Sequence, residues 1–292
     1  MNPKRIVVTG ATGHQGGAVA CHLLKHHDFG VRALVRDTEK PAAKALAQAG
    51  VELMPGDLED LSSVKRALEG AYGVYSVQTF TEAGCEGEIR QGEALAETAY
   101  AAGVRHFVYS SVMAADRQTG IPHFESKWEI EQHILEIGLP FTILRPAAFM
   151  QNWYNFLREP ILQGAIPLPL DPHVSMPQIS VDDIGAFAAM AFRHPDKWIG
   201  RTFELAAEEV SMRRLAEIFT VILGRPVKYV QVPWDQYRQQ AGDELTRMYR
   251  WLNDAAYYID IAAVRREYPT LTTLEQALRR QNWTAEAAQR AA

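Results

Sequence analysis

A glycine-spaced loop near the N-terminus leaves this chain few ways to fold. An apolar, β-branched run over 5–9 leads directly into Gly10-Ala11-Thr12-Gly13-His14-Gln15-Gly16-Gly17, a G-x-x-G-x-x-G pattern. A helical pattern with Ala20, Cys21, Leu23 and Leu24 on its apolar side follows at once. Gly10 permits a tight turn, Gly13 lets backbone N–H groups approach a pyrophosphate, and Gly16 lets the helix pack closely on the strand. Phosphates then rest on the free N–H groups and positive end of that helix. Glycine triplets also occur in ordinary strand-to-helix turns. The strand before and the helix after are the context that points to nucleotide binding.

The rest of the first half repeats the alternation. Strand patterns at 31–35, 51–55, 73–77, 107–110 and 141–144 are separated by helical spacings. These include Leu61, Val64 and Leu68; Ile89, Leu95 and Ala99; and Trp128, Ile130, Ile134 and Ile137. Such alternation predicts an α/β fold, a doubly wound parallel sheet with helices on both faces. Gly30, Gly50, Gly70, Gly103 and Gly138 read as the glycines that end each helix. After Arg145-Pro146 the pattern loosens, with Pro160, Pro167, Pro169, Pro172 and Pro177 marking a loop-rich stretch. A helix over 181–192, a strand at 201–205, a helix over 212–222, a strand at 227–230 and two C-terminal helical stretches follow. The expected division is a dinucleotide-binding Rossmann domain over 1–150, joined by the late strand near 201–205. A smaller C-terminal α/β domain over 151–292 would lie over the C-terminal edge of the sheet, where ligands bind in such folds.

The end of the second strand distinguishes the two dinucleotides. An acidic residue there holds the ribose 2′-OH of NAD, and an arginine accommodates the 2′-phosphate of NADP. Arg36 is the first polar residue after the strand, so NADP(H) is favoured over NAD(H), while neighbouring Asp37 keeps NAD in play. Lys40 and Lys44 lie one and two turns on, Lys44 reading as part of a solvated helix face. Asp57, at the end of the third strand, is placed to reach the adenine amino group or, alternatively, to cap the next helix.

These pieces together resemble the NmrA-like family of atypical short-chain dehydrogenase/reductase proteins. The resemblance rests on the glycine loop with Gln15-Gly16-Gly17, Arg36, Gly56-Asp57, Arg90-Gln91-Gly92 and Val108-Tyr109-Ser110-Ser111. His123-Phe124-Glu125-Ser126-Lys127, Arg145-Pro146 with Asn152, and 179–184 extend it. The His-Phe-x-x-Lys segment is the most specific part, and the likeness thins after Arg201. The resemblance implies that Gly10, Ala11, Thr12, Gly13, His14, Gln15 and Gly16 surround the pyrophosphate and Arg36 the 2′-phosphate. It places Asp57 and Leu58 at adenine, Gln78, Thr79 and Phe80 near the ribose, and Arg90 as a cofactor-side cation. Lys127 would contact the nicotinamide ribose, with Phe149 and Asn152 bordering the nicotinamide.

Ordinary members of the superfamily use Tyr-x-x-x-Lys, the tyrosine passing a proton to a carbonyl and the lysine tuning it, which is general acid–base catalysis. Four residues before Lys127 this chain has His123. Ser110, Ser111 or Val112 stands where a carbonyl-polarising hydroxyl is usual, and Tyr109 reads as packing. Two functions follow. One is an NADPH-dependent reductase of quinone-like or dye-like small-molecule acceptors, with Lys127 and His123 as candidate catalytic residues; an unperturbed histidine pKa of about 6.5 suits an acid. The other is a non-catalytic NADP(H) sensor acting through a protein partner.

A formal charge of −5 argues against non-specific nucleic-acid binding, which needs a basic footprint. No apolar run approaches the ~20 residues of a membrane span, and no secretory leader is visible. Two cysteines make no disulfide framework, so a cytoplasmic protein is expected. Cys21 reads as a core residue and Cys85 as a loop thiol. His22, His26 and His27 read as the exposed end of a helix, and no metal site is expected. The aromatic groups Trp153, Tyr154 and Phe156, and 234–258, suit either packing or a pocket wall. Residues 284–292 read as a helical or frayed tail.

Overall fold

The computed structural model describes residues 3–255 and 257–283; the tail at 284–292 lies outside the described residues. The chain forms two compact units, one of residues 1–145 with 181–204 and one of 146–180 with 205–292.

The first unit is built on a seven-stranded sheet. Its strands are β1 (Lys4–Val8), β2 (Phe29–Val35), β3 (Glu52–Pro55), β4 (Gly73–Ser76), β5 (His106–Ser110), β6 (Phe141–Pro146) and β7 (Arg201–Leu205). Their spatial order is β7-β6-β5-β4-β1-β2-β3. The pairs from β3 through to β6 are all parallel. The order reverses between β1 and β4, the switch point at which doubly wound sheets open a crevice beyond their strand ends. The helices are α1 (His14–Leu24), α2 (Pro41–Gln48), α3 (Leu61–Leu68), α4 (Phe80–Ala101), α5 (Pro122–Glu136) and α6 (Val181–Arg193).

The strands are apolar on both sides because both faces are covered. On one face Val7, Val74, Phe107, Tyr109 and Ile143 pack with Leu68 of α3, Leu95 and Ala99 of α4, and Ile130 and Ile134 of α5. The other face carries α1 and α6. There a Cβ on Gly185 would stand 2.7 Å from the Ala18 carbonyl carbon, so the two helices meet backbone to backbone. The sequence reading grouped α6 with the C-terminal half; it belongs to the first unit. Four of the five glycines placed after helices have positive φ, from 68° to 96°. Gly30 is instead inside β2, and α1 ends at Lys25 in right-handed geometry.

The second unit holds a three-stranded sheet of Ala148–Phe149, Ser175–Ile179 and Glu208–Ser211. A separate parallel pair joins Ala165–Leu168 to Lys228–Gln231. Its longer helices are Met212–Leu223, capped by the Ser211 hydroxyl, and Trp234–Asp254, kinked at Gly242. The stretch that read as proline-rich loop therefore contains strands. Prolines normally argue against a strand, yet Pro167 and Pro177 both lie within one here. The aromatic C-terminal region packs within the unit, with Tyr237 edge-on to Tyr249 at 5.4 Å and Trp251 against Tyr257 at 5.6 Å. Tyr258 is exposed. No helix among the described residues is long and apolar enough to cross a membrane.

Candidate functional site

The C-terminal ends of β1, β4 and β5 are tied to the glycine loop. Thr9 Oγ1 accepts from the Val77 N–H at 2.9 Å and donates to the Val77 carbonyl at 3.1 Å. Gln15 Oε1 accepts from Ser110 Oγ at 2.7 Å and from the Tyr75 hydroxyl at 3.3 Å. Gly10 turns the chain at φ 59°. At Gly16 an added Cβ would stand 2.4 Å from the Gly10 oxygen and 2.6 Å from the Thr9 oxygen, both backbone, so only glycine fits. Gly13 occupies the cap of α1 with no capping side chain, and the first turn of α1 has no acidic residue. A helix start without a side-chain acceptor directs its N–H groups and its positive end outward, the arrangement that receives an anion. Ala11 is buried beneath the loop, and Thr12 and His14 are exposed on it.

The strand ends towards β3 form a second group. Arg36 leaves β2 and forks onto Glu82, with Nη1 2.6 Å from Oε2 and Nη2 3.0 Å from Oε1. Hydrogen bonding to Arg36 holds the Glu82 carboxyl below the usual carboxylate range. Lys44 pairs with Glu39 at 2.9 Å on the exposed face of α2. Asp57 Oδ1 accepts from the Glu59 N–H at 2.9 Å, while Asp60 caps α3 by accepting from the Ser62 N–H. The capping alternative for Asp57 is thereby excluded. Leu58 is half-buried beside it. Arg90 reaches across from α4 to Glu59 at 3.1 Å, so it stands at the β3 end of the crevice.

A third group surrounds the start of α5. His123 and Lys127 are four residues apart and share a helix face. The His123 ring is buried and stacks on Phe80, with centroids 4.6 Å apart and an 18° tilt. Lys127 Nζ is bound to Glu88 Oε1, and Ser126 Oγ donates to Glu88 Oε2 at 2.5 Å. The Glu88 side chain is fully buried and that of Lys127 is 13% exposed. Gln78 is buried and donates to Ser76 Oγ at 3.0 Å; Thr79 caps α4.

The usual carbonyl-reducing set is not assembled. Ser110 is committed to Gln15, and Ser111 donates to Glu131. Glu131 is itself gripped by Arg145, whose Nη1 also lies 3.0 Å from Asp116. Tyr109 is fully buried, and its hydroxyl has no partner among the described residues. Burial, then Glu88 and Glu131, push its phenol well above the ordinary range, so it stays protonated.

Two residues of this site escaped the sequence reading. Glu88 lies on the buried stripe of α4 with Gly92, Leu95, Ala96 and Ala99. A carboxylate in that apolar register needs a cation, and that was the signal for Lys127 as its partner. Glu82 had no such signal, because Arg36 is 46 residues away. Phe149 and Asn152 lie in the second unit; both are half-buried, Phe149 in its three-stranded sheet and Asn152 at the start of a short helix. Nearby Trp153 is buried and donates to Gln178, whereas Phe156 is exposed. The cysteine readings are corrected: Cys21 is exposed and Cys85 is on α4. His22 is buried rather than exposed, with Nε2 3.0 Å from Asp182 Oδ1. Among the described residues no three His, Cys, Asp or Glu side chains cluster as metal ligands would.

The chain has counterparts among known proteins. The model of the NmrA-like family matches residues 2–278. The NmrA-like family domain-containing oxidoreductase malD of Malbranchea aurantiaca is 31% identical, over 78% of this chain and 76% of that protein. The NAD(P)H azoreductase of Xenophilus azovorans is 30% identical, over 80% and 79%. The crystal structure of NmrA, a negative transcriptional regulator, in complex with NADP superposes with a TM-score of 0.80 at 24% identity, covering 96% of this chain and 95% of that one. At that identity the structure speaks for the fold, which is the same Rossmann-type architecture. The family match along nearly the whole chain, joined by two relatives at 30% identity or more, makes this protein a member of the NmrA-like family.

Proposed function

We propose that this chain is a cytoplasmic protein that binds a nicotinamide dinucleotide at the C-terminal edge of its seven-stranded sheet and takes NADP(H) in preference to NAD(H). It then reduces a quinone-like or dye-like small molecule without a catalytic tyrosine. The observation that carries the reading is the start of α1, where the glycine loop brings backbone against backbone and the helix has neither a capping side chain nor an acidic first turn. The residues fit the group. Arg36 already holds a planar anion, the Glu82 carboxylate, in the forked geometry that suits a phosphate. Asp57 Oδ1 is engaged by the loop, and its second oxygen would accept from adenine. The bound dinucleotide would supply a hydride. Lys127 would grip the nicotinamide ribose while Glu88 balances its charge. The azoreductase relative reduces an acceptor of the proposed class.

A second reading is a non-catalytic sensor of NADP(H). It is favoured by the commitment of Ser110 and Ser111 to other partners, which leaves no hydroxyl at the end of β5 for a carbonyl. One experiment separates the two. NADPH absorbance is followed against a panel of quinones, azo dyes and enones, with binding measured in the same samples. Consumption with any class supports the reductase. Tight binding without consumption across the panel refutes it and favours the sensor. Absence of binding refutes both.

A further inference from the structure

The first turn of α4 is not part of the helix that follows it. Gly84, at φ 69° and ψ 179°, breaks the chain direction after Ala83. Ala83 sits against Gly87 and Phe80 stacks on His123, so the turn is held in place, while the Glu82 side chain between them is more than half exposed and can leave without moving the backbone. That turn presents Glu82 to Arg36. Both oxygens of the carboxylate are engaged by two guanidinium nitrogens, at 2.6 and 3.0 Å. The same two donors would meet a ribose 2′-phosphate, because carboxylate and phosphate take the guanidinium fork in the same way. Glu82 and a 2′-phosphate therefore compete for one site, and a carboxylate left beside a phosphate dianion adds repulsion. Side chains more than half exposed make the pair weak enough to be displaced.

We infer that Glu82 is a specificity-determining residue. It occupies the Arg36 fork until a 2′-phosphate displaces it, and it thereby narrows the preference for NADP(H) over NAD(H). The inference rests on the reading of Arg36 as the 2′-phosphate site. An exposed ion pair with near-ideal fork geometry, together with the relieved repulsion, is worth about three- to fivefold in affinity.

The test is calorimetric titration of the whole chain with NADPH, NADH and 2′,5′-ADP. It compares the natural protein, Glu82→Ala, Arg36→Ala and the double variant. Glu82→Ala is expected to tighten NADPH and 2′,5′-ADP about three- to fivefold and leave NADH unchanged, the gain shrinking as salt is raised. The gain is expected to vanish when Arg36→Ala is also present. An unchanged NADPH affinity, equal tightening of both cofactors, or a loss of NADH affinity alone would overturn the inference. Arg36→Ala keeps the two levels apart. If it weakens NADPH selectively while Glu82→Ala is silent, the role of Glu82 falls alone. If it weakens NADPH and NADH equally, the reading of Arg36 falls and takes Glu82 with it.

Discussion

Replacing Lys127 with methionine should unsettle the fold before it reports on chemistry. The Glu88 carboxylate is fully buried, and its partners are Lys127 Nζ and Ser126 Oγ. Removing the ammonium leaves a desolvated charge with a single hydroxyl to hold it. Breaking a buried pair by deleting one partner costs about 3–5 kcal/mol. That is a large share of the about 5–15 kcal/mol that holds a typical domain. Glu88→Gln made together with Lys127→Met removes both charges, keeps an oxygen to accept from Ser126, and leaves the methionine stem to fill the lysine's path. The double variant should therefore recover most of the loss, with a coupling energy of about 2–3 kcal/mol. Urea unfolding of the four proteins, followed by far-UV circular dichroism, measures it. A Lys127→Met variant within about 1 kcal/mol of the natural protein, with no coupling to Glu88→Gln, would refute the reasoning. The functional consequence is direct. Turnover lost in Lys127→Met alone says little about catalysis, whereas turnover lost in the stable double variant assigns the ammonium to the reaction.

Gly16→Ala should destabilise the protein by about 1–3 kcal/mol, because the new methyl meets the backbone of Gly10 and Thr9 and no side chain can yield. It should weaken NADPH and NADH alike, since the loop serves the part both share; thermal unfolding and titration with each cofactor check this, and selective loss of one would contradict it. His106 predicts a pH dependence away from the site. Its Nε2 donates to Thr142 Oγ1, which itself donates to the Trp198 carbonyl, and its Nδ1 is buried without a partner. Burial pushes its pKa down to about 4. The unfolded chain thus binds the proton more readily, and stability present in full above about pH 6.5 is lost as pH falls towards 4, about 2 kcal/mol of it by pH 5. His106→Gln should flatten that limb of the urea-midpoint profile between pH 8 and pH 5; parallel profiles would refute the assignment.

What was legible in the sequence is what the backbone enforces locally. The glycine loop, the strand alternation and the order of elements are written in neighbouring residues, and the sheet follows them with strand ends shifted by one or two positions. Gly30 misled because a glycine next to a helix end looks the same whether it ends the helix or enters a strand. The strands at Ala165–Leu168 and Ser175–Ile179 were hidden because proline removes the ladder donor that a strand pattern assumes. Cys21 misled by its register: it follows Ala20 on the helix but faces out. The charged part of the site was hardest to read. Glu82 and Glu88 sit six residues apart on one helix and look alike in sequence. One is exposed on a turn that Gly84 detaches, and the other lies at the core-facing end of the helix. The apolar register marks Glu88, and the kink explains why Glu82 stands outside it.

The missing tyrosine is not replaced by a neighbour. Tyr109 is close in sequence to the serines at the end of β5, yet its hydroxyl is buried without a partner among the described residues, and burial, followed by two carboxylates, keeps it protonated. In the tyrosine-dependent scheme the lysine lowers a phenol's pKa, and a free ammonium is what makes that effective. Here the ammonium faces Glu88, so the local field is close to neutral. A Lys–Glu pair can still orient a hydroxyl by hydrogen bonding, but it does little to make an acid stronger. A reaction at this site is therefore one that does not depend on a strong acid beside the acceptor oxygen. Quinones, azo groups and conjugated acceptors meet that condition, because hydride addition to them leaves a delocalised anion that can collect its proton from water or, on the proposed reading, from His123. An ordinary ketone needs an acid at its oxygen and is expected to be a poor substrate, and this expectation points the proposal at the delocalised class.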